Sequence, residues 1–430
     1  MIVIKFDEMS PETLQSLFNR PLSEDSTLDD KVKEICLNIK NSGAVALRKY
    51  SLKFDSFALD DFSVSANEIE EAFKQVDKSL REAIGDALKN IQKFHRAQFP
   101  TPEIIETSPS VFCHRELRSI ENVGLYVPGG TAPLISTLLM LGVPAKLAEC
   151  ERIVICTPPD SFGDINPAIL YAADLLGIDE IYKIGGAQAI AAMAYGTETI
   201  PSVDKIFGPG NPYVTAAKKF VSTDSGGASI DFPAGPTELL IIADKNADPK
   251  LIAWDLAAQA EHGENSNVLL VTDSQEIADN VSESISNLSF DDTRKEIILG
   301  CLEKSYAILT DNIDDSIAFS NNYAPEHLSL HLENPDSVSD DIKNAGTVFL
   351  GEFTPPAAGD YATGANHTLP TNGCAKSFSG LSVNDFQKFI TFQKIEEHGL
   401  KAVADTVTTL AEAETLYAHS ESIKARFNDV

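Results

Sequence analysis

The chain has 430 residues, with 34 Lys and Arg against 64 Asp and Glu, so its formal net charge is −30. Such an excess of negative charge repels phosphate backbones and anionic lipids, which excludes nucleic acids and acidic membranes as first candidates for a partner. The composition, 43% hydrophobic and 23% charged, is that of an ordinary globular protein, and the length indicates about two to four domains. The six cysteines form no CxxC pair and the first residues show no secretory pattern, so a cytoplasmic location is expected.

The predicted elements change character twice along the chain. Residues 1–24 are polar and end in Pro21 and an acidic stretch, which predicts a small separate segment; residues 25–98 are largely helical, with an amphipathic repeat in Ala66–Phe94. From residue 123 short β-branched runs alternate with helical lengths, which predicts βαβ units and largely parallel sheets. From about residue 380 the pattern predicts helix throughout. The strands are expected at Gly124–Pro128, Arg152–Thr157, Ile181–Ile184, Lys205–Phe207, Leu239–Ala243, Val268–Thr272, Ala307–Thr310 and Thr347–Leu350.

Glycine and proline follow several of these predicted strands, as in Pro128–Gly130, Gly185–Gly186 and Gly208–Gly210. Ligands of open α/β sheets bind at the carboxyl ends of strands, so these loops are the first predicted ligand sites. The sequence contains no P-loop, and the loop at Gly208 has Tyr213 where a dinucleotide fingerprint requires its third glycine. The glycine pattern by itself therefore does not identify NAD as a ligand.

Asp248 and Pro249 are typical of a helix start, and Gly263 of a helix end. Gln259 and His262 lie three residues apart and so share a face of this helix. In one interpretation His262 only complements the negative end of the helix. In the other, the imidazole nitrogen and the amide oxygen are metal ligands one turn apart. The spacing alone favours the first interpretation.

Glu326 and His327 follow Pro325 at the start of a predicted strand. A carboxylate and an imidazole side by side can supply a water-activating base and a second proton acceptor to one site. Neighbouring side chains of a regular strand point to opposite faces, so this interpretation requires an irregular turn. A surface carboxylate beside a capping histidine is the alternative.

Two further pairs of polar residues are candidates for the same site. Asp360 and His367 lie in the long loop 351–373, which is rich in glycine and proline. Asp360 is a candidate metal ligand and His367 a candidate substrate contact. Alternatively, both residues only cap turns. Glu414 and His419 are five residues apart near the carboxyl terminus. An ideal helix does not place residues at that spacing on one face, so either the helix ends between them or a ligand straddles it; solvated polar residues are the alternative.

Taken in order, these motifs closely resemble the histidinol dehydrogenase family over nearly the whole chain. The resemblance implies oxidation of L-histidinol to L-histidine, through L-histidinal, with two NAD⁺ and a Zn²⁺ ion at the end of histidine biosynthesis. The motifs that carry it are Val123–Gly130, Gly185–Ile190, Phe207–Asn211, Asp231–Glu238, Gln259–His262, Tyr323–Leu328 and Gly359–Thr371.

The resemblance also implies a role for each candidate residue. His327 would accept the alcohol proton, Glu326 would activate water to attack the aldehyde, and His419 would come from the other subunit of a homodimer. The residues matching the ligands of one zinc ion per subunit are Gln259, His262, Asp360 and His419. Those matching substrate contacts are Thr237, His367 and Glu414, together with the zinc ligands and His327; those matching NAD contacts are Tyr126, Gln188 and Asn211.

The fold implied by the resemblance is α/β, with two incomplete Rossmann-like domains and small terminal helical pieces that exchange in a domain-swapped homodimer. The predicted divisions are a small amino-terminal segment at 1–24, a first α/β domain at 25–122 and 238–379, a second α/β domain at 123–237, and a helical segment at 380–430. A zinc hydrolase with Glu326 as base and a non-catalytic binding protein for a small cationic ligand are the competing functions.

Overall fold

The computed structural model describes residues 1–20, 26–54, 61–129, 133–233 and 235–427. Two compact units are present: Met1–Gln98 with Ile120–Phe386, and Phe99–Ser119 with Gln387–Val430. Pro21 with its acidic neighbours, and Gly130 of the first glycine loop, lie outside the described residues. Within the described ranges no helix combines the length and apolar character needed to cross a membrane.

The helices and strands are numbered in chain order. The strands are β1 (Ile2–Lys5), β2 (Ile104–Ser108), β3 (Val111–Ser119), β4 (Asn122–Tyr126), β5 (Arg152–Thr157), β6 (Ile181–Lys183), β7 (Lys205–Phe207), β8 (Ser229–Ile230), β9 (Glu238–Ala243), β10 (Asn267–Thr272), β11 (Tyr306–Leu309), β12 (His327–His331), β13 (Thr347–Leu350) and β14 (Gln387–Ile395). The helices are α1 (Pro11–Asn19), α2 (Ser26–Phe54, interrupted at Gly43), α3 (Ala66–Gln75), α4 (Lys78–Arg96), α5 (Ile135–Leu147), α6 (Pro167–Leu176), α7 (Gly186–Tyr195), α8 (Pro212–Thr223), α9 (Pro249–Ala260), α10 (Gln275–Ser286), α11 (Lys295–Glu303), α12 (Ile313–Tyr323), α13 (Pro356–Tyr361), α14 (Glu397–Ala413) and α15 (Tyr417–Lys424).

The first unit contains a six-stranded parallel sheet in the order β1-β11-β10-β9-β12-β13. Its central strand β9 is buried along its whole length, as expected for a strand covered on both faces. Leu239 and Ile241 pack against α9, α10 and α11, whereas Leu240 and Ile242 pack against α12 and the apolar side of α1. The alternation of β9 side chains thus fixes which helices lie on which face.

The same unit contains a five-stranded parallel sheet in the order β6-β5-β4-β7-β8. Val123 and Leu125 of β4 face α3, α4, α5 and α6, and Val154 of β5 faces α2, α7 and α8. Helices α2, α3 and α4 therefore pack on this sheet, which differs from the predicted grouping of 25–122 with 238–379. Their apolar faces fit either sheet, so the sequence pattern does not specify the partner.

The described amino-terminal residues 1–20 belong to this unit, which differs from the separate segment predicted for 1–24. Strand β1 pairs in parallel with β11, and Phe18 of α1 packs on Phe319 of α12. Arg20, at the end of α1, is buried. The polar composition of this segment did not indicate a strand of the sheet, because a strand at a sheet edge needs few apolar residues.

The second unit contains an antiparallel sheet in the order β14-β3-β2, followed by α14 and α15. The prediction of helix throughout 380–430 is wrong for Gln387–Ile395, which form β14. This strand is held by pairing with β3, from Gln387 opposite Ser119 to Ile395 opposite Val111. Pairing between segments so distant in the chain leaves no local helical or turn signal to read.

Candidate active site

The predicted acid/base residues lie where two neighbouring strands of the six-stranded sheet begin. Strands β9 and β12 pair in parallel with His327 opposite Leu239, so Thr237 and Glu238 lie beside Glu326 and His327. Ala324, with φ at +54°, ends α12 in a left-handed conformation and produces the irregular turn that the sequence argument required. Both side chains consequently point into one site, with Glu326 Oε2 3.4 Å from His327 Nδ1.

Glu326 is buried and held by donors from the neighbouring strand. Its Oε2 accepts hydrogen bonds from Thr237 Oγ1 at 2.5 Å and from the Glu238 backbone N–H at 2.8 Å. Gln259 Nε2, at the end of α9, donates to the same Thr237 hydroxyl. A predicted zinc ligand, a predicted substrate contact and the predicted base therefore form one chain of hydrogen bonds.

His327 is oriented by a backbone carbonyl. Its Nδ1 lies 2.9 Å from the oxygen of Glu238, which can only accept, so Nδ1 carries the proton. Its Nε2 is buried, 3.7 Å from Asp360 Oδ1, and has no hydrogen-bond partner within the described residues. Burial lowers the pKa of His327, but the Glu326 and Asp360 carboxylates outweigh burial and raise it to about 10. Two carboxylates around one imidazole leave the site negative, which attracts a further cation.

Asp360 and His367 meet at the same site from α13 and the loop after it. His367 Nδ1 lies 3.0 Å from the backbone oxygen of Asp360, and its Nε2 lies 3.3 Å from Thr137 Oγ1 of α5. Burial raises the pKa of Asp360, but His327 outweighs burial and holds it below its usual range. Burial lowers the pKa of His367. Asp360 therefore supplies charge, and His367 supplies a neutral ring.

Three of the four predicted zinc ligands, Gln259, His262 and Asp360, lie in the first unit, and His419 lies in the second. Gln259 is buried and bonds Thr237 through its amide nitrogen, so its amide oxygen takes no part in that bond. His262 is exposed just beyond α9, and its charge lowers the pKa of Asp360. One imidazole, one carboxylate and one amide oxygen suit Zn²⁺ in type. Across the ranges that the structure describes, no three His, Cys, Asp or Glu side chains form a metal-holding group.

The remaining two predicted site residues lie in the second unit. Helix α14 ends at Ala413, Glu414 is its C-cap, and His419 follows on α15. Thr415, with φ at +61°, makes the break between the helices. The helix thus ends between Glu414 and His419, as one of the two alternatives required. Both side chains are exposed.

The predicted cofactor contacts lie at the carboxyl ends of the five-stranded sheet. The Tyr126 hydroxyl accepts a hydrogen bond from the Gly186 N–H at 3.0 Å. A Cβ at Gly208 would lie 2.2 Å from the Tyr126 carbonyl oxygen, so only glycine fits there. The side chain of Asn211 accepts from two backbone N–H groups at the start of α8, and Gln188 is buried in α7. The glycines therefore allow three loops to approach closely.

A cleft of about 780 Å³ joins the two edges. Asn211 and Thr215 line it from the five-stranded sheet, and Thr237 and His262 line it from the six-stranded sheet. Of the predicted site residues, Asn211, Thr237 and His262 line this cleft.

Comparison with known proteins decides the family. The family model for histidinol dehydrogenase matches residues 18–427. The histidinol dehydrogenases of Vibrio parahaemolyticus serotype O3:K6 and Methanothermobacter thermautotrophicus are 44% and 46% identical to the chain, over 99% and 100% of it and 98% and 100% of their own lengths. The chain belongs to the histidinol dehydrogenase family. A crystal structure of histidinol dehydrogenase from Elizabethkingia anophelis matches with a TM-score of 0.95 and 48% identity, over 99% of this chain and 98% of that chain.

Membership of the histidinol dehydrogenase family confirms the resemblance and, with the structural match, the α/β fold with parallel sheets. The roles of individual site residues stay predictions. The sequence argument missed Arg20 and Glu238, which contact the site. Glu238 carries a readable signal, because a carboxylate that begins an otherwise apolar run enters a buried strand only with a partner. Arg20 carries no such signal in the sequence, since its ion-pair partner Glu238 lies far along the chain.

Proposed function

We propose that the chain oxidises L-histidinol to L-histidine through L-histidinal, with two NAD⁺ and one Zn²⁺ per subunit. As a member of the histidinol dehydrogenase family it is an NAD-dependent dehydrogenase of histidine biosynthesis. This membership favours a dehydrogenase over a zinc hydrolase or a non-catalytic binding protein. The observation that carries the proposal is the buried His327 beside the Glu326 carboxylate, with its Nδ1 bonded to the Glu238 backbone oxygen and its Nε2 without a hydrogen-bond partner among the described residues.

The chain's own residues provide for a cationic substrate. Glu326 and Asp360 supply negative charge on either side of His327, and His367 supplies a neutral ring from the loop beyond α13. Gln259, His262 and Asp360, with His419, would hold the zinc ion. When bound, Zn²⁺ would position the imidazole and amine of the substrate, and NAD⁺ would accept a hydride in each step.

In the first oxidation His327 accepts the alcohol proton at Nε2, while the Glu238 carbonyl keeps the ring oriented through Nδ1. A cationic substrate near Glu326 and Asp360 competes with the His327 proton for the same negative charge, which favours the neutral imidazole. In the second oxidation Glu326 accepts a proton from the water that attacks the aldehyde carbon. Thr237 keeps that carboxylate in place by donating to Oε2.

NADH production tests the function. Purified protein with Zn²⁺, L-histidinol and excess NAD⁺ is expected to give two NADH per substrate oxidised. A yield of one NADH would contradict the aldehyde step, and no NADH would contradict the whole proposal. Glu326→Gln is expected to stop after one NADH, because it removes the base for water and leaves His327 in place.

The complete site is proposed to need two subunits of a cytoplasmic homodimer. Large apolar side chains are exposed in the second unit, a pattern typical of a surface that another chain covers. They include Ile104, Ile105, Phe389, Ile390, Leu410, Leu416 and Tyr417. In this arrangement Glu414 and His419 would complete the site of the partner chain.

Mixed dimers test this sharing. Dimers of wild-type and His419→Asn subunits are expected to retain about half of the wild-type activity, because one of the two sites keeps all its ligands. His398→Asn, an exposed histidine of α14, is the matched control and is expected to leave activity unchanged. Complete loss of activity in the mixed dimers would contradict the shared site.

A further inference from the structure

A buried ion pair lies directly behind the predicted acid/base residues. Glu238 is fully buried, and its Oε2 lies 3.0 Å from Nη1 of Arg20. Arg20 also donates from Nη2 to the backbone oxygen of Tyr323 at 2.5 Å, and its guanidinium lies 3.7 Å from the centre of the Tyr323 ring. The pair therefore connects the end of α1, the start of β9 and the end of α12.

Glu238 and Glu326 hold each other reciprocally. The Glu238 backbone N–H donates to Glu326 Oε2 at 2.8 Å, and the Glu326 backbone N–H donates to Glu238 Oε2 at 3.3 Å. The second oxygen of Glu238 accepts from the backbone N–H of Asn372 at 2.9 Å. Both oxygens of Glu238 are thus used within the protein, so its carboxylate serves to position other groups and not to contact substrate.

Glu326 and His327 depend on Glu238 in different ways. Glu326 is held through the Glu238 side chain as well as its backbone, whereas His327 Nδ1 bonds only the Glu238 backbone oxygen. Strand pairing between β9 and β12 fixes that oxygen whatever side chain stands at 238. Loss of the Glu238 carboxylate or of Arg20 therefore disturbs the position of Glu326 more than that of His327.

The backbone of Arg20 agrees with a specific role for its side chain. Arg20 is the C-cap of α1, with φ at +31° and ψ at +64°, a region that residues with a Cβ rarely occupy. Such a conformation persists only where surrounding contacts determine it. Here those contacts are the ion pair with Glu238 and the two contacts with Tyr323.

We propose that the Arg20–Glu238 ion pair is the positioning element for Glu326, so that the amino-terminal segment controls the second oxidation more than the first. This inference rests on the proposed function, since it requires Glu326 to act on water in aldehyde oxidation. Arg20 and Glu238 are positioning residues, because they act through Glu326.

Supplied L-histidinal separates the two steps. With NAD⁺ the enzyme oxidises it to histidine, and with NADH it reduces it to histidinol, the reverse of the first step. For Arg20→Met and Glu238→Gln the expected loss is about 10- to 100-fold in kcat for oxidation and less than about threefold for reduction. The double variant is expected to be no slower than the worse single variant, because the residues act as a unit.

Two further variants make the test decisive. Arg20→Lys keeps the charge, is expected to fold even where Arg20→Met does not, and should recover part of the aldehyde oxidation. Arg152→Met removes a partly exposed Arg–Glu pair, 3.1 Å from Glu180, and is the matched control with both steps unchanged.

Equal losses in oxidation and reduction for Arg20→Lys and Glu238→Gln would overturn the inference, and so would unchanged rates. If the wild-type enzyme reduces histidinal but cannot oxidise it, the proposed function fails at its second step. That outcome is distinct from a failure of the positioning role, which requires an active wild type.

Discussion

The two parallel sheets of the first unit place their predicted functional residues at opposite ends of the strands. In the five-stranded sheet the glycine loops follow the carboxyl ends of β4, β6 and β7. In the six-stranded sheet Glu326, His327 and Thr237 lie at the amino ends of β9 and β12. The general rule for open α/β sheets therefore points to the predicted cofactor loops and not to the predicted acid/base residues.

The two edges also differ in how they are built. At the carboxyl edge, glycines let backbones approach, as at Gly208 beside Tyr126. At the amino edge, buried charged side chains fix one another, as Arg20, Glu238 and Glu326 do. Changes at the first edge are expected to act on cofactor binding and backbone strain, and changes at the second on proton transfer.

The largest expected effect is at the amino edge. His327→Asn should lower kcat for the first oxidation by roughly 10²- to 10⁴-fold, because it removes the acceptor of the alcohol proton. NAD binding, followed by fluorescence titration, should change little, since the glycine loops are untouched. His398→Asn is the exposed control. A loss below about tenfold would show that His327 is not the acceptor.

The next effect is at the carboxyl edge. The buried Lys218 lies 2.5 Å from Asp231 and donates to the Gly208 backbone oxygen at 2.8 Å, while Asp231 accepts from the Gly208 N–H. Lys218→Met leaves the Asp231 charge buried and unpaired, so urea unfolding should show a loss of about 3–5 kcal/mol and the KM for NAD⁺ should rise.

Lys74→Met is the control for this prediction, because it breaks an exposed pair with Glu71 and should change the free energy of unfolding by less than about 0.5 kcal/mol. If the two variants proved equally stable, the ion pair of Lys218 would not hold the Gly208 loop.

A third effect is a pH dependence at the amino edge. Burial, opposed by Arg20 and reinforced by Glu326, raises the pKa of Glu238 from 4.5 to about 7. Between these two pH values the folded protein keeps a proton on Glu238 that the unfolded chain releases. The contribution of Glu238 to the free energy of unfolding is therefore fully present below about pH 4.5 and is lost as the pH rises through about 7.

The measurement is urea unfolding of wild type and Glu238→Gln across this range. The difference in free energy of unfolding between them should fall by roughly 3 kcal/mol from pH 4.5 to pH 8. A difference that stayed constant would contradict the pKa shift of Glu238.

The smallest expected effect separates backbone strain from steric contact at the carboxyl edge. Gly208→Ala introduces a Cβ that meets the Tyr126 carbonyl, whereas Gly226→Ala, also at positive φ, meets no atom within 4 Å. Gly226→Ala should cost about 1 kcal/mol of stability, and Gly208→Ala about 2 kcal/mol more together with a raised KM for NAD⁺. Equal losses of stability in the two variants would show that the loop at Gly208 moves to accommodate the added Cβ.

The sequence predicted the parallel strands well because their signals are local. Arg152–Thr157 and Thr347–Leu350 are strands at the predicted bounds. The amphipathic repeat in Ala66–Phe94 falls on two helices, because such a repeat continues across the short break between the end of α3 at Gln75 and the start of α4 at Lys78. Strands β1 and β14 were missed because pairing with distant segments holds them, and the neighbouring strands β2 and β3, which pair with each other, were missed as well.

The candidate site divides in the same way. The juxtaposition of Glu326 and His327 was predictable, because Pro325 signalled a turn at the strand start. The support from Arg20 was not, since a buried pair between a chain terminus and an internal strand follows from tertiary packing alone. Resemblance identified Gln259 and Asp360, whose spacing would not have distinguished them from ordinary polar residues.

The two ends of the cleft also differ in the polarity of the helices that meet there. In a parallel sheet each connecting helix begins at the carboxyl edge and ends at the amino edge, so α7 and α8 begin at the glycine loops and α9 ends at Ala260, directly after Gln259. Helix beginnings carry partial positive charge and helix ends partial negative charge. If the chain has the proposed function, an anionic dinucleotide is therefore favoured at one edge and a cationic amino alcohol at the other, and helix polarity orients the two reactants before any side chain contacts them.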